Sequence, residues 1–436
     1  MSSANPGLAY DNTPPFSAPL RFLLTAPLFG IAAGLVLLLD PSALASRWTP
    51  GALAAVHLIA TGVMLQAMLG ALMQILPVVA GAPLPVPRGI ATATHLLITA
   101  GSLGLSWGLW QGQPPLTLGG AALLGIGLAT FLAAAMLALL RAPAPPGQGR
   151  TPRDLRLALA GLAVTAALGL LLATALATGA ALPVALPDLV NLHAGWGWMG
   201  WGGVLLASAS WVIVPMFHIT PAYPKPVVQS WTPAVFAALL LWSAVMASPW
   251  QGARLALISL LCVLALAFAL TTLHLQSRTR RSTPDASFLN FRAAMLAIVA
   301  GTLATAVAIV VDHEAAPVIA GVLILHGGFV GAISAMLYKI VPFLAWLHLV
   351  QAGIKAPNVK KLSPDLPVRR QLRAHSASLA ALLAAALWTP LAPIAAMAIV
   401  IEFAWLLVNL SRVVNAWRRA GGQWQQGPRK KVQNTV

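Results

Sequence analysis

The chain reads as an all-α, polytopic membrane protein of about twelve transmembrane helices in three pseudo-repeats of four, with both termini cytoplasmic. Three observations predict this. Hydrophobic residues make up 59% of the 436 positions and charged residues only 8%, with a mean hydropathy of +0.83, whereas soluble domains carry about 25% charged residues. Apolar runs long enough to cross a bilayer recur from end to end and leave no length for a large soluble catalytic head. Basic residues gather in alternate connections.

Residues 1–15 are polar and Pro-containing (Pro6, Pro14, Pro15) and lack a basic n-region, so they read as a disordered tail before an uncleaved first helix. The apolar runs that follow span 16–39, 51–80, 89–110 and, after the turn Gln113-Pro114-Pro115, 115–140. A basic connection at 142–153 leads to 154–181. The Pro-rich turn from Leu182 to Pro187 leads to 187–217, and a second inner connection at 218–230 leads to 231–248 and 250–275. A third, at 276–287, precedes 288–311 and 315–348. The longest, 349–373, has room for a short surface helix before 374–392 and 394–417, and residues 418–436 form a basic tail. The pseudo-repeats cover about 16–140, 154–275 and 288–417.

The formal charge of +17 would suit a nucleic-acid binder, but its placement makes it a topology signal instead. With the N-terminus inside, 24 of the 26 Lys and Arg residues fall on the cytoplasmic side, and only Arg47 and Arg254 fall outside. That bias predicts both ends in the cytoplasm, in a protein expected in the bacterial inner membrane with the lipid bilayer as its main partner. The single cysteine, Cys262, excludes an internal disulfide, CxxCH haem attachment, a thiolate zinc site and an iron-sulfur cluster.

The second, sixth and tenth runs share one plan. The second carries His57 and Gly62 and closes Ile75-Leu76-Pro77; the sixth carries His193, Gly195 and Gly200 and closes Ile213-Val214-Pro215; the tenth carries His326, Gly327 and Gly328 and closes Ile340-Val341-Pro342. Each histidine lies in the outer half of its run, with glycines that let a planar group or another helix approach. An intramembrane histidine calls for a partner, and imidazole is a common ligand of haem iron and copper. His57, His193 and His326 are therefore the candidate cofactor and metal ligands. His95, His218, His274, His348 and His375 fall near cytoplasmic helix ends, and His313 lies in the outer turn Asp312-His313-Glu314; these six read as surface or capping residues. Glu402 is the one carboxylate deep in a run, a candidate for a proton path or for a bond to a polar neighbour. Asp188 and the 312–314 turn are outer-side candidates for contacts to haem propionates. Trp201 and Trp211 lie deeper than an interfacial tryptophan belt would place them.

Twelve helices in threes of four, with outer-half histidines on the second, sixth and tenth, resemble subunit I of the haem-copper oxidases and nitric oxide reductases. In size the chain is more similar to the NnrS family of haem- and copper-containing membrane proteins. The resemblance implies haem b, with copper as a second cofactor. It assigns His57 to a low-spin haem, His193 to copper or haem, and His326 to haem. It also implies a role in respiratory electron transfer or in handling nitric oxide or oxygen, a cytochrome or oxidase subunit as partner, a small gas as ligand and, for an enzyme, an oxidoreductase. The run 231–248 holds no histidine and His326 is followed by Gly327-Gly328, so a complete binuclear copper site is not expected. His57, His193 and His326 lie 20, 22 and 16 residues before their prolines. That spacing leaves open a His57/His326 haem, a His57/His193 haem or two single-ligand sites. The rival classes are a cofactor-free transporter and an oxidase-associated scaffold or assembly subunit.

Overall fold

The computed structural model describes residues 9–142, 151–311 and 313–424. The part of the expected tail at 1–8, most of the expected basic connection at 143–150, the end of the basic tail at 425–436, and Asp312 lie outside the described residues. The described chain is helical throughout, with no strand. Its long helices are α1 (Ser17–Leu39), α2 (Pro50–Val78), α3 (Pro87–Trp110), α4 (Pro114–Arg141), α5 (Thr151–Thr178) and α6 (Leu186–His218). They continue with α7 (Lys225–Val245), α8 (Gln251–Ser277), α9 (Ala286–Val310), α10 (Ala315–Gln351), α11 (Asp365–Leu387) and α12 (Ala392–Arg419). A single turn, Val359–Leu362, precedes α11.

Ten of these are long and apolar enough to cross a membrane; α3 and α11 are the two long helices outside that set. The outward surface is correspondingly rich in leucine and valine, among them Leu103, Leu241, Val263, Leu296 and Leu303. In water such exposure would be costly, and in lipid it is the favourable state.

Local chemistry sets several helix starts. Proline at the first helical position, where no N–H is needed, opens α2, α3 and α4. Thr49 caps α2 by accepting the Ala52 N–H at 3.2 Å, and Asp285 caps α9 through the Phe288 N–H at 3.0 Å. Residues 9–15, which the sequence placed in the tail, are tied to the bundle. The Ala9 N–H reaches the Val78 carbonyl at 2.9 Å, Gln351 donates to the Tyr10 carbonyl at 2.8 Å, and His348 Nε2 meets the Pro14 carbonyl at 3.0 Å.

Three helices depart from α geometry in the same way. π-helical turns occupy 58–64 in α2, 196–203 in α6 and 322–330 in α10. They begin 19, 19 and 20 residues before Pro77, Pro215 and Pro342. Each π segment packs against the first helix before its own: 58–64 on α1, 196–203 on α5 and 322–330 on α9. Glycines make these approaches close. A Cβ on Gly62 would overlap the Phe29 ring, one on Gly161 the Gly200 carbonyl, and one on Gly301 the Ile324 side chain. The three segments also converge, because a Cβ on Gly202 would overlap Met64 and stand 3.0 Å from Phe329. Around this centre α4 packs on α5, α8 on α9 and α12 on α1.

Candidate functional site

His57 and His193 lie on α2 and α6, His57 directly before its π segment and His193 three residues before its own. His57 Nδ1 bonds the Leu53 carbonyl at 2.7 Å, and His193 Nδ1 bonds the Thr165 carbonyl of α5 at 3.1 Å. A carbonyl only accepts, so each Nδ1 carries the proton and each Nε2 presents a lone pair. Among the described residues no hydrogen bond reaches either Nε2, and the two imidazoles lie within electrostatic range of each other. Both residues are half-buried. Gly169 on α5 gives the His193 ring its place: a Cβ there would stand 3.0 Å from Cε1.

The two arginines assigned to the outer side lie near the start of α6. Arg47 donates to Asn191 at 2.7 Å, and Arg254 meets Asp188 at 3.5 Å. Asn191 and Asp188 precede His193 by two and five residues. Burial holds the Arg47 guanidinium below its ordinary value, with Glu314 opposing that shift. Glu314 accepts from Ser46 at 2.6 Å, and His313 Nδ1 accepts the Ala315 N–H at 3.1 Å, so the described part of that turn is bonded locally and to the α1–α2 connection.

His326 belongs to a different group. Its Nε2 lies 3.0 Å from Ser378 Oγ and 3.1 Å from Glu402 Oε2, while His375 Nδ1 lies 2.7 Å from Glu402 Oε1. Ser378 also donates to Glu402 Oε2. The rings of His326 and His375 stack with centroids 5.0 Å apart. The group is dry: Glu402 is 0% exposed, His375 4% and His326 5%. His375 and Glu402 each lie ten residues into antiparallel helices that begin at Asp365 and Ala392. At 1.5 Å per residue that is roughly 15 Å from opposite ends, so the two meet near mid-height.

His375 was expected at a helix end, as a surface or capping residue. The structure corrects this because α11 starts at Asp365, nine residues before the expected 374. Its polar first turns, with Asp365 pairing with Arg369, resemble a loop in composition while forming helix. Ser363-Pro364-Asp365, a proline followed by an acidic residue at the start of a helix, is the signal that would have set the boundary. His218 and His348 are also buried, not exposed caps. His218 packs on Phe288 and Phe291 and meets Gln276 at 3.2 Å, and His348 stacks on Phe16. Glu402 is confirmed as deep, and its partners are side chains.

Trp211 donates to Asp154 at 3.3 Å, and Trp201 is buried beside the π segments' centre. Asp154, fully buried, also accepts from Thr232 at 2.6 Å and from Arg153 at 2.7 Å, which makes a structural clamp between α5, α6 and α7. No family model matches the chain, and no curated protein matches it.

Proposed function

We propose that the chain is a haem-binding protein of the bacterial inner membrane, with haem b held between His57 and His193, and that its role is respiratory electron transfer. The observation that carries this reading is the matched state of the two imidazoles. Each has Nδ1 bound to a carbonyl and Nε2 unbonded, the second-sphere arrangement that fixes a metal-ligating histidine's tautomer and aims its lone pair. Three further features support it. Gly169 leaves room at the His193 ring, the π segments lie beside both ligands, and Arg47 and Arg254 stand on the expected outer side, where anionic propionates would need cations. Haem bound in this way supplies a one-electron redox centre. With His57 and His193 both holding the iron, the haem would supply electron transfer and not binding of nitric oxide or oxygen. A histidine-free α7 leaves no copper set of the oxidase kind.

We further infer twelve crossings in three repeats of four, with both termini cytoplasmic. The common spacing of π segment to proline and the order of packing around the centre support the repeats. Orientation rests on the 24 to 2 division of basic residues. Hydrogen bonds between connections respect that division. Ser46–Glu314 and Arg47–Asn191 join expected outer segments, while Gln351–Tyr10, Thr279–His218 and Ala286–Asp365 join expected inner ones.

The test is a dithionite-reduced minus oxidised spectrum with a pyridine haemochrome count on detergent-purified protein expressed with ample haem. A b-type signal is expected in the wild type and in His326→Ala, and its loss or conversion to a high-spin form in His57→Ala and His193→Ala. A colourless wild type, or haem unchanged in both of the latter variants, would overturn the reading and restore a cofactor-free transporter or scaffold.

A further inference from the structure

Glu402 poses a problem of charge. It is fully buried near mid-height, and among the described residues no lysine or arginine pairs with it. A carboxylate in such a place stays ionised only if a cation, an imidazolium or a bound metal ion, compensates it. The groups that converge on it are two imidazoles and a hydroxyl from two other helices: His326 of α10, and His375 and Ser378 of α11. That is a donor set for a metal ion. The one group of three or more metal-ligating side chains found among the described residues is His326, His375 and Glu402, with ligand atoms all within 4.8 Å of one another.

We propose that His326 Nε2, His375 Nδ1 and a Glu402 oxygen bind one divalent first-row transition metal ion, zinc or ferrous iron in class, with Ser378 Oγ as a fourth oxygen donor. Two neutral nitrogens and a carboxylate form a set used by both zinc and non-haem iron(II). Donors that each stand about 2.1 Å from a tetrahedral ion lie roughly 3.4 Å from one another. The observed separations are 2.7 Å from His375 to Glu402 Oε1, 3.1 Å from His326 to Glu402 Oε2 and 3.0 Å from His326 to Ser378, so the donors would move apart by roughly 0.3–0.7 Å on binding the ion. An ion of charge two would outweigh the single carboxylate charge. His326 lies within the π segment 322–330, a distortion that often marks a functional position.

A groove of about 180 Å³, lined by Ala293, Gly327, His375 and Leu379 among others, reaches the His375 ring. Gly331 keeps the ring's other edge clear, since a Cβ there would stand 3.0 Å from His375 Nε2.

This site shares no ligand with the His57/His193 haem, so the two readings fail separately. Purified full-length protein is stripped with chelator, titrated with Co2+ and followed by visible absorption and elemental analysis. One equivalent with the bands of a four- or five-coordinate ion is expected, displaced by Zn2+. His375→Ala and Glu402→Ala should each weaken it at least tenfold, whereas His57→Ala and His193→Ala should leave it intact. No stoichiometric Co2+ in monodisperse wild-type protein, or undiminished binding in His375→Ala, overturns the proposal. Where the ligand variants do not fold, X-ray absorption of Co2+ in the wild type decides. Scattering from two imidazoles with oxygen supports the site, and fewer than two imidazoles or any sulfur refutes it.

Discussion

An imidazole with Nδ1–H committed to a backbone carbonyl keeps one lone pair, and its use depends on what stands in front of Nε2. At His193 that geometry depends on a residue with no side chain. Gly169→Val would press against Cε1 and turn the ring away from the Thr165 carbonyl. We predict a reduced-minus-oxidised spectrum shifted toward a high-spin or five-coordinate form, with the protein still monodisperse. An unchanged spectrum would show that His193 is not a haem ligand. Asp285 offers a second residue-scale test, outside the spans. Burial pushes its carboxyl up, but Lys339, the Phe288 N–H and Arg281 together hold it below its ordinary value. A depressed carboxylate stabilises the fold above its unfolded value, about 3.9, and loses that contribution as pH falls through the folded value. Asp285→Asn should therefore cost about 1–3 kcal/mol at neutral pH, and the difference in Tm from wild type should close below about pH 4. A gap that persisted there would assign the loss to the α9 cap instead of the charge. His57, His193, His326 and Glu402 were legible as candidates because polar groups stand out in apolar runs. Even the separation of His326 had a trace, in its 16-residue spacing to proline against 20 and 22. The partnership of His326 with His375 and Ser378 was not legible, since it joins α10 to α11 across 52 residues and depends on a helix start hidden by charged first turns.

At the scale of elements, the spans were readable because lipid demands an unbroken apolar surface and an internally bonded backbone. The π turns were not, since glycine content signals close approach but not a change of hydrogen-bond register. Their consequence is mechanical: one extra residue per turn rotates the stretch of helix that follows, and the three segments do so at nearly the same distance before their prolines. Close packing between helices gives a sharper test on α3 and α4. A Cβ on Gly120 would overlap the Leu105 backbone, whereas neighbouring Gly119 has nothing within 4 Å. Gly120→Leu should destabilise the detergent-solubilised protein by about 3 kcal/mol or more, and Gly119→Leu should stay within about 0.5 kcal/mol. Equal effects would mean that helix propensity, not contact, sets the cost. The clamp at Asp154 belongs to the same scale. Asp154→Ala leaves the Trp211 and Thr232 donors without their acceptor, while the part-exposed Arg153 keeps the Gln229 and Val228 carbonyls, an expected loss of about 1–3 kcal/mol read as a lower Tm.

At the scale of the whole molecule each π-bearing helix packs on the helix before it, α4 rests on α5, α8 on α9, and α12 closes back on α1. The three π segments meet at the centre of these contacts, and the proposed three-by-four arrangement would leave the charged connections at two opposite ends. Topology follows from which end is which, and the basic residues supply the answer only through their bias. With Cys262→Ser as background, a cysteine at exposed Gln113, in the α3–α4 turn, and one at exposed Lys360, before α11, report on the two ends. Gln113→Cys should react with a membrane-impermeant maleimide added outside spheroplasts. Lys360→Cys should react only after the membrane is opened. The reversed pattern would invert the orientation and place Arg47, Arg254 and the start of α6 in the cytoplasm. Labelling of both sites from outside would remove a crossing between them and break the three-by-four arrangement. That arrangement is required if α2, α6 and α10 are to enter the centre from the same side. The order of labelling therefore tests the architecture on which the paired histidines depend, independently of whether haem is bound.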